Sequence, residues 1–255
     1  MARIFITGSS DGLGLLAAKS FASMGHKVVL HARNEERAKT ALMEVPNAEK
    51  VLIADLANID ETKRLAQEVN ALGQFDTIIH NAGLGINVPV DAMSADNLPL
   101  VFAVNSLAPY ILTAMINPPK RLIYMSSAMH TDGDASESVL NEIGEGKYVP
   151  NYCDTKLHDL ILALATARLW PDVIVNAVHP GWVPTKMGGK EAPESLEEGY
   201  ATQVWLAVDQ DPEAMLSGRL LFHKEECDIK PQAKEVNIQS KFLSLCEQLS
   251  GVTIL

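Results

Sequence analysis

The chain has 255 residues, of which 47% are hydrophobic, enough to bury the core of one large domain and to exclude a disordered chain. Its 21 basic and 32 acidic residues give a formal net charge of −11, the wrong sign for a protein that binds nucleic acid or an anionic membrane through phosphates. The three cysteines form no Cys-x-x-Cys pair, which argues against a disulfide framework or structural zinc and fits a reducing, cytoplasmic setting.

No targeting segment or membrane span is expected. Met1 to Arg3 lead directly into Ile4-Phe5-Ile6 and leave no room for a basic region followed by an apolar core. The most apolar later stretch, Leu157 to Leu169, is interrupted by charged side chains and is shorter than the roughly 20 residues that a bilayer span needs. We therefore expect no membrane partner.

Short β-branched runs alternate with amphipathic helical stretches as far as residue 225, which is the pattern of repeated βαβ units. Strands are predicted at Arg3 to Thr7, Lys27 to His31, Lys50 to Ala54, Asp76 to His80, Arg121 to Ser126, Val173 to Val178 and Arg219 to His223. Helices are predicted at Gly12 to Met24, Glu35 to Glu44, Ile59 to Leu72, Ala95 to Met115, Asn151 to Leu169 and Glu194 to Val208. Several strand runs are apolar without alternation, as in sheets covered on both faces. The pattern predicts an α/β domain with a doubly wound parallel sheet of about seven strands.

Two connections are longer than a compact α/β unit needs, namely Ala128 to Pro150 and Gly181 to Pro193. Both follow the carboxyl ends of strands, where open α/β sheets bind ligands, so we predict substrate loops, with solvated connectors as the alternative. Within the tail, residues 226–255, Ser240 to Leu249 has an amphipathic helix pattern. The pattern does not decide which surface this helix covers. The sheet edge, the substrate pocket and a partner subunit remain the three alternatives.

The first predicted strand runs into a glycine-rich turn and then a helix. The turn reads Thr7-Gly8-Ser9-Ser10-Asp11-Gly12-Leu13-Gly14. Glycines let the backbone approach a pyrophosphate closely, and the N–H groups at a helix start favour an anion. The turn therefore predicts a dinucleotide site, with a purely structural tight turn as the alternative.

The end of the second strand indicates which dinucleotide is preferred. Folds that prefer NAD place an acid here, against the ribose 2′-hydroxyl, but this chain has Arg33. A guanidinium suits a 2′-phosphate, and Arg37 follows one helical turn later. We predict NADP, with NAD as the alternative cofactor and a plain surface charge as the alternative role of Arg33.

The spacing Gly-x-x-x-Gly-x-Gly resembles the signature of the short-chain dehydrogenase/reductase family. Further family motifs follow in order along nearly the whole chain: Asp55 and Leu56, Asn81-Ala82-Gly83, Asn105, Ser127, Tyr152-x-x-x-Lys156 and Pro180-Gly181. The resemblance implies a single Rossmann-type NADP-binding domain over residues 1–255. The stretches around Ser127 and Pro180 look most like the retinol dehydrogenase and protochlorophyllide reductase branch. Asp154 to Asp159 and Ser217 to Arg219 resemble bacterial carbonyl reductases, including those similar to daunorubicin ketoreductases.

Tyr152 and Lys156 are four residues apart in a predicted helix, so their side chains share one face. An ammonium beside a phenol stabilises the phenolate. We hypothesise that Tyr152 is the general acid in carbonyl reduction and that Ser127 hydrogen-bonds the same carbonyl oxygen. The resemblance further implies that Lys156 holds the nicotinamide ribose and that Asn105 anchors a water of a proton relay.

The resemblance also implies that the loop after strand six binds the nicotinamide carboxamide through the backbone of Val183 and the hydroxyl of Thr185. The predicted cofactor-binding residues are Gly8, Ser9, Ser10, Gly12, Leu13, Gly14, Arg33, Asp55, Leu56, Asn81, Ala82, Gly83, Tyr152, Lys156, Pro180, Gly181, Val183 and Thr185. Candidate walls of the substrate pocket are His130, Val149, Trp182, Met187 and Tyr124, with ordinary packing as the alternative. The seven histidines have no metal-ligand spacing, so no metal is predicted.

The chain departs from the family pattern in three places. His80 precedes Asn81 where the family often has a second Asn. The stretch from Asn105 to Ser127 is shorter than in many members, and the stretch from Ser127 to Tyr152 is longer. Because the family's dimer contact commonly uses the shortened helix, both a homodimer and a monomer remain open.

The predicted function is an NADPH-dependent oxidoreductase that reduces an aldehyde or ketone, a small apolar molecule, in the cytoplasm. The first alternative is a non-catalytic NADP-binding sensor or interaction protein that retains the fold. A sugar-nucleotide epimerase or dehydratase of the longer family branch is the second, but such enzymes have a tighter glycine turn and a larger C-terminal region.

Overall fold

In the computed structural model, which describes residues 1–254, strand polarity and order follow the doubly wound pattern. The strands are β1 (Arg3–Ile6), β2 (Lys27–Ala32), β3 (Lys50–Ile53), β4 (Thr77–His80), β5 (Arg121–Met125), β6 (Ile174–Val178), β7 (Leu220–Phe222) and β8 (Glu225–Glu226). Their order in the sheet is β3-β2-β1-β4-β5-β6-β7-β8. Strands β1 to β7 pair in parallel, and β8, which the sequence did not predict, adds an antiparallel edge. The order reverses between β1 and β4, which creates a crevice at their carboxyl ends.

Helices cover both faces of the sheet. They are α1 (Gly12–Ser23), α2 (Glu35–Glu44), α3 (Ile59–Ala71), α4 (Leu100–Phe102), α5 (Ala108–Met115), α6 (Glu137–Gly144), α7 (Tyr152–Leu169), α8 (Leu196–Val208), α9 (Pro231–Lys234) and α10 (Val236–Ser250). A π-helical segment, Ala103–Leu107, joins α4 to α5 into one continuous helix. Among the described helices, none combines the length and the apolarity needed to cross a bilayer.

The strand side chains alternate between two separate cores. Phe5 and Ile78 pack into the core that includes residues of α3, α5, α7 and α10, whereas Ile6 and Ile79 pack into the core that includes residues of α1 and α8. Each of these four side chains is at most 1% exposed. Burial on both faces explains why the strand sequences are continuously apolar rather than alternating.

The fourth predicted helix begins at Leu100, five residues later than the predicted Ala95. Asn97 has a φ of 58°, and the Ser94 hydroxyl accepts the N–H groups of Asp96 and Leu98. Pro99 caps the helix and disfavours helical geometry in the residue before it. The other predicted boundaries of strands and helices before the tail agree within two residues.

The long connection from Ala128 to Pro150 contains more regular structure than predicted. It holds a 3-10 turn, Ala128–Asp132, and helix α6, whose Leu140 and Ile143 are buried. The tail helix α10 packs against α6, α7 and α9 and buries Phe242 and Cys246. The tail thus extends the helical layer, and the Tyr110 hydroxyl donates to Val252 O beyond the end of α10.

Candidate active site

A cavity of about 480 Å³ opens at the carboxyl ends of the central strands, where the strand order reverses. Its wall runs from the glycine turn and the end of β2, past the segments after β3 and β4, to the start of α7 and the loop after β6. The predicted site residues that line it are Gly8, Ser10, Gly12, Leu13, Arg33, Asp55, Leu56, Asn81, Ala82, Gly83, Tyr152, Lys156, Pro180, Thr185 and Met187. The other predicted site residues, all of them described in the structure, lie outside the cavity wall: Ser9, Gly14, Asn105, Tyr124, Ser127, His130, Val149, Gly181, Trp182 and Val183.

The glycine turn packs directly on the segment after β4. Gly8 has a φ of +64°, and a Cβ on it would lie 2.8 Å from the Cα of Ala82. A Cβ on Gly14 would lie 2.3 Å from Asn81 Nδ2 and 2.7 Å from Gly8 O. The Asn81 amide donates to Thr7 O at 3.0 Å, and the Thr7 hydroxyl accepts the Ala82 N–H at 3.0 Å. Glycine at these positions therefore lets two crevice segments touch through their backbones.

A buried histidine holds the turn from the side of β2. His31 Nδ1 accepts the Gly8 N–H at 2.9 Å, and Nε2 lies 3.0 Å from Ala54 O. These contacts require a neutral ring protonated at Nε2. Burial lowers the pKa of His31 to about 4, which keeps the ring neutral. Sequence reasoning missed this role, although His31 ends the strand beside the turn.

Positive charge gathers where the second strand ends. Arg33 and Arg37 both line the cavity, and Arg37 Nη1 lies 3.8 Å from the Asp11 carboxylate. Lys186, from the loop after β6, also pairs with Asp11. Burial opposes ionisation of Asp11, but the bonds from Lys186 and the Gly12 N–H outweigh burial and lower the pKa of Asp11. The Asp11–Lys186 pair joins the glycine turn to a loop 175 positions away along the chain.

The segment after β3 forms a tight turn on the cavity wall. The Asp55 carboxylate accepts the Ala57 N–H at 3.0 Å, and the Asp55 N–H donates to Glu61 at 2.8 Å. The neighbouring Leu56 is 6% exposed. These bonds fix the backbone around Asp55, one of the predicted cofactor-binding residues.

Helix α7 presents Tyr152 and Lys156 to the cavity. The helix begins at Tyr152 because Asn151 and Asp154 form a reciprocal capping box. Lys156 is 5% exposed, and its Nζ lies 5.6 Å from the centroid of the Tyr152 ring. Nζ donates to Met125 O at 2.8 Å and pairs with Asp159 Oδ2 at 2.8 Å. A buried ammonium thus stands beside a phenol at the cavity wall.

The two serines that follow β5 differ in their hydrogen bonds. The Ser126 hydroxyl donates to Lys156 O at 2.7 Å and is buried. Ser127 Oγ instead accepts the Met129 N–H at 3.2 Å and caps the 3-10 turn. Because Ser127 uses its oxygen as an acceptor there, its own O–H is left to donate elsewhere.

Asn105 lies in the π-helical segment and connects three parts of the site. Its Oδ1 accepts the Leu84 N–H at 2.7 Å, and its Nδ2 donates to Leu84 O at 3.0 Å and to the Thr155 hydroxyl at 3.1 Å. The side chain therefore ties the segment after β4 to α7. Such π-helical segments often mark functional sites.

The loop after β6 contributes Thr185, Lys186 and Met187 to the cavity wall. The Thr185 N–H donates to the oxygen of the buried Val183 at 2.7 Å. The Trp182 indole donates to Gly188 O at 2.7 Å while its side chain is 55% exposed. These bonds give the loop a defined course across the crevice.

The remaining candidate pocket residues lie in different surroundings. His130 is 2% exposed, and its ring nitrogens contact Ser127 O and the Lys230 N–H. Tyr124 is fully buried and bonds the Thr113 hydroxyl at 2.6 Å. Within residues 1–254, no group of three or more His, Cys, Asp or Glu side chains is arranged to hold a metal ion.

A family model described as short chain dehydrogenase matches residues 2–195 of the chain. The chain belongs to the short-chain dehydrogenase family. An uncharacterised oxidoreductase of Emericella nidulans is 46% identical over 258 residues, covering 100% of this chain and 99% of the relative. A Streptomyces protein named as a daunorubicin C-13 ketoreductase is 30% identical over 235 residues, covering 84% and 81%. Human retinol dehydrogenase 14 is 24% identical over 294 residues, covering 98% and 86%.

Solved structures share the fold of this short-chain dehydrogenase. An uncharacterised protein of Mycobacterium paratuberculosis has a TM-score of 0.81 at 21% identity, with 100% of this chain and 95% of the other covered. A blue fluorescent protein from a metagenomic library, solved with NADPH, has a TM-score of 0.68 at 18% identity, covering 87% and 95%. The predicted Rossmann-type sheet is confirmed, and the chain is an oxidoreductase of its family.

Proposed function

We propose that this short-chain dehydrogenase is an NADPH-dependent reductase that converts an apolar aldehyde or ketone to the alcohol in the cytoplasm. The observation that carries the proposal is the position of Tyr152, which lies beside the buried Lys156 ammonium on the wall of the cavity that also holds the glycine turn. A proton donor and a dinucleotide site therefore share one crevice.

The crevice fits a nicotinamide dinucleotide. The backbone at Gly8 and Gly14 is packed so closely that a Cβ would fill the space, as pyrophosphate turns require. Arg33 and Arg37 line the same cavity where a fold that prefers NAD has an acid, which favours the 2′-phosphate of NADP. NAD remains the alternative cofactor.

Residues on the cavity wall from the arginines to the start of α7 would hold such a cofactor. Arg33, Asp55 and Leu56 would contact its adenosine half, and the glycine turn would contact its pyrophosphate. Lys156 and the loop from Pro180 to Thr185 would contact its nicotinamide half. The residues that line the cavity at both ends support this placement.

When bound, NADPH supplies the hydride that is added to the carbonyl carbon. Tyr152 donates its phenolic proton to the carbonyl oxygen, and the Lys156 ammonium stabilises the phenolate that remains. The Ser127 hydroxyl, whose oxygen already accepts the Met129 N–H, donates its hydrogen to the same carbonyl oxygen. Asn105 positions the segment after Gly83 against α7. Alcohol oxidation is the reverse of these steps.

Apolar side chains around the cavity favour an apolar substrate. Met187 lines the cavity and packs over Gly85, where a Cβ would lie 2.6 Å from Met187 Cγ. Trp182 and Val149, on the flanking segments, are 55% and 45% exposed. Exposed apolar groups beside a cleft are typical of a surface that binds an apolar ligand. Two relatives are named for a ketoreductase and a retinol dehydrogenase.

NADPH consumption with retinaldehyde, aromatic aldehydes, quinones and polyketide ketones tests the proposal. We expect turnover with at least one apolar carbonyl compound. Tight NADPH binding without any turnover across the panel would favour the rival function, an NADP-binding sensor or interaction protein.

A further inference from the structure

Helix α7 carries a third ionisable side chain on the face that presents Tyr152 and Lys156. Asp159 follows Lys156 by three residues and Tyr152 by seven, so the three side chains form one row along the helix. Lys156 Nζ and Asp159 Oδ2 are 2.8 Å apart, and the two side chains are 6% and 4% exposed. The row leads from the cavity wall into the protein interior.

Stability alone does not account for this ion pair. Removing two charges from water is costly, and well-packed apolar residues often replace a buried ion pair without loss of stability. The neighbours of Asp159 in the helix include Leu160 and Ile161, which belong to the apolar core. A carboxylate at this position therefore points to a role that depends on its charge.

The pair restricts the Lys156 ammonium. An ammonium has three N–H donors. One is used by Met125 O and one by Asp159, both at 2.8 Å, so a single donor is left for the cavity. Asp159 thus fixes where Nζ stands relative to Tyr152.

The carboxylate also offsets the charge that Tyr152 experiences. An unopposed ammonium strongly favours phenolate, and a phenolate cannot act as the acid of carbonyl reduction. We propose that Asp159 is a positioning residue that holds the Lys156 ammonium and limits its pull on Tyr152, so that Tyr152 stays protonated for reduction. This inference rests on the proposed role of Tyr152 as the general acid.

The charge states of the pair agree with this role. Burial raises the pKa of Asp159 to about 6 against the opposing effect of Lys156, so Asp159 is ionised at neutral pH. Burial opposes the charge on Lys156, but Asp159 and Tyr152 outweigh burial and raise the pKa of Lys156. From β5, Tyr124 faces Asp159, and burial raises the pKa of that phenol. Asp132 of the 3-10 turn acts electrostatically on Cys153, the residue after Tyr152 at the start of α7.

The test is the pH at which Tyr152 becomes phenolate, measured in the full-length protein. Ultraviolet difference absorbance against Tyr152→Phe isolates this titration from the other tyrosines. In Asp159→Asn the midpoint should move about one pH unit lower, because a negative charge near the Tyr–Lys pair is lost. Asp159→Glu, which keeps the charge, should titrate within about 0.3 unit of the wild type.

Thr166→Val is the matched control, since Thr166 is a fully buried polar residue of the same helix whose hydroxyl lies 3.5 Å from Tyr124 Oη. In this variant the midpoint of the Tyr152 titration should equal that of the wild type. If Asp159→Asn does not fold, Asp159→Ala replaces it, because water can enter the space and solvate the ammonium. An unchanged or higher midpoint in the neutral variant overturns the inference.

The titration needs no substrate, so it separates the two proposals. A lowered midpoint in a protein that reduces no carbonyl compound would support the Asp159 inference and reject the proposed reaction. Turnover in the wild type, combined with an unmoved midpoint, would reject the inference alone. With an active enzyme, the alkaline limb of carbonyl reduction should shift down by about one unit in Asp159→Asn.

Discussion

His31 Nδ1 accepts the Gly8 N–H at 2.9 Å, and this bond fastens the glycine turn to β2. The turn is the part of the cavity wall on which the proposed pyrophosphate lies. A neutral imidazole is required, because a protonated ring has no acceptor for the Gly8 N–H. The bond therefore links the charge of one buried side chain to the shape of the cofactor site.

His31→Leu should weaken NADPH binding about tenfold, because the Gly8 N–H loses its acceptor while the apolar side chain fills the space. Fluorescence titration of NADPH measures the change. His26→Leu is the control, since His26 Nδ1 also accepts a backbone N–H, from Ala2 at 3.0 Å, but at the start of β2. If the two variants bind NADPH with equal affinity, His31 does not hold the glycine turn for the cofactor.

Acid should destabilise the protein well above the range in which carboxylates titrate. Burial lowers the pKa of His31 to about 4 and those of His80 and His158 to about 3. The unfolded chain binds protons at these side chains near pH 6.5, whereas the folded chain does not, so stability falls as pH decreases from 6.5 towards 4. The three groups give a slope of about 4 kcal/mol per pH unit near pH 5.

Asp159 acts in the opposite sense in part of this range, because its raised pKa of about 6 favours the folded state as pH falls. One group opposes three, so the net free energy of unfolding should still decrease. Urea unfolding between about pH 7 and pH 5 measures it. A free energy of unfolding that is constant or rises on acidification would show that these histidines are not buried in neutral form.

Arg33→Ala should weaken NADPH binding about tenfold or more and change NADH binding less than about twofold, since only NADPH carries the 2′-phosphate. Isothermal titration with both cofactors gives the ratio. Arg64→Ala is the control, because Arg64 is an exposed arginine that pairs with Glu61 and Glu68 on α3. Parallel losses for both cofactors would contradict the proposed 2′-phosphate contact.

Gly14→Ala should lower NADPH affinity and stability together. Its Cβ would lie 2.3 Å from Asn81 Nδ2 and 2.7 Å from the backbone oxygen of Gly8, so the turn must shift. Overpacking of this kind costs about 1–3 kcal/mol. At Gly25, φ is +79° and nothing lies within 4 Å of an added Cβ, so Gly25→Ala measures backbone strain alone. That variant should keep the wild-type affinity.

The sequence predicts most of the fold because local signals and the sheet agree. Apolar β-branched runs mark the strands, and Asn34, Asn58 and Asn151 cap their helices as their positions suggest. Helix α6 was missed because the whole stretch was interpreted as a substrate loop, although Leu140 and Ile143 have helical spacing. Its stability depends on packing against α10, which lies about a hundred positions later in the chain.

The site was predictable where one short motif carries the chemistry, as with Tyr152 and Lys156. The residues that contact those motifs in the fold were not predictable from the sequence. The sequence predicts Asp159 to be a polar residue on the exposed face of an amphipathic helix, whereas the structure buries it. The Asp11–Lys186 pair joins two distant loops, and no local pattern relates them. Such contacts depend on tertiary packing, which periodicity does not report.

Tyr152 is the proposed proton donor of this reductase. Tyr152→Phe removes the phenolic oxygen and keeps the ring, so the glycine turn and Lys156 should hold NADPH as before. We predict a dissociation constant for NADPH within about twofold of the wild type and a fall in kcat of at least about a hundredfold with the best carbonyl substrate. An unchanged kcat in this variant, with NADPH still bound, would contradict the role of Tyr152 as the proton donor.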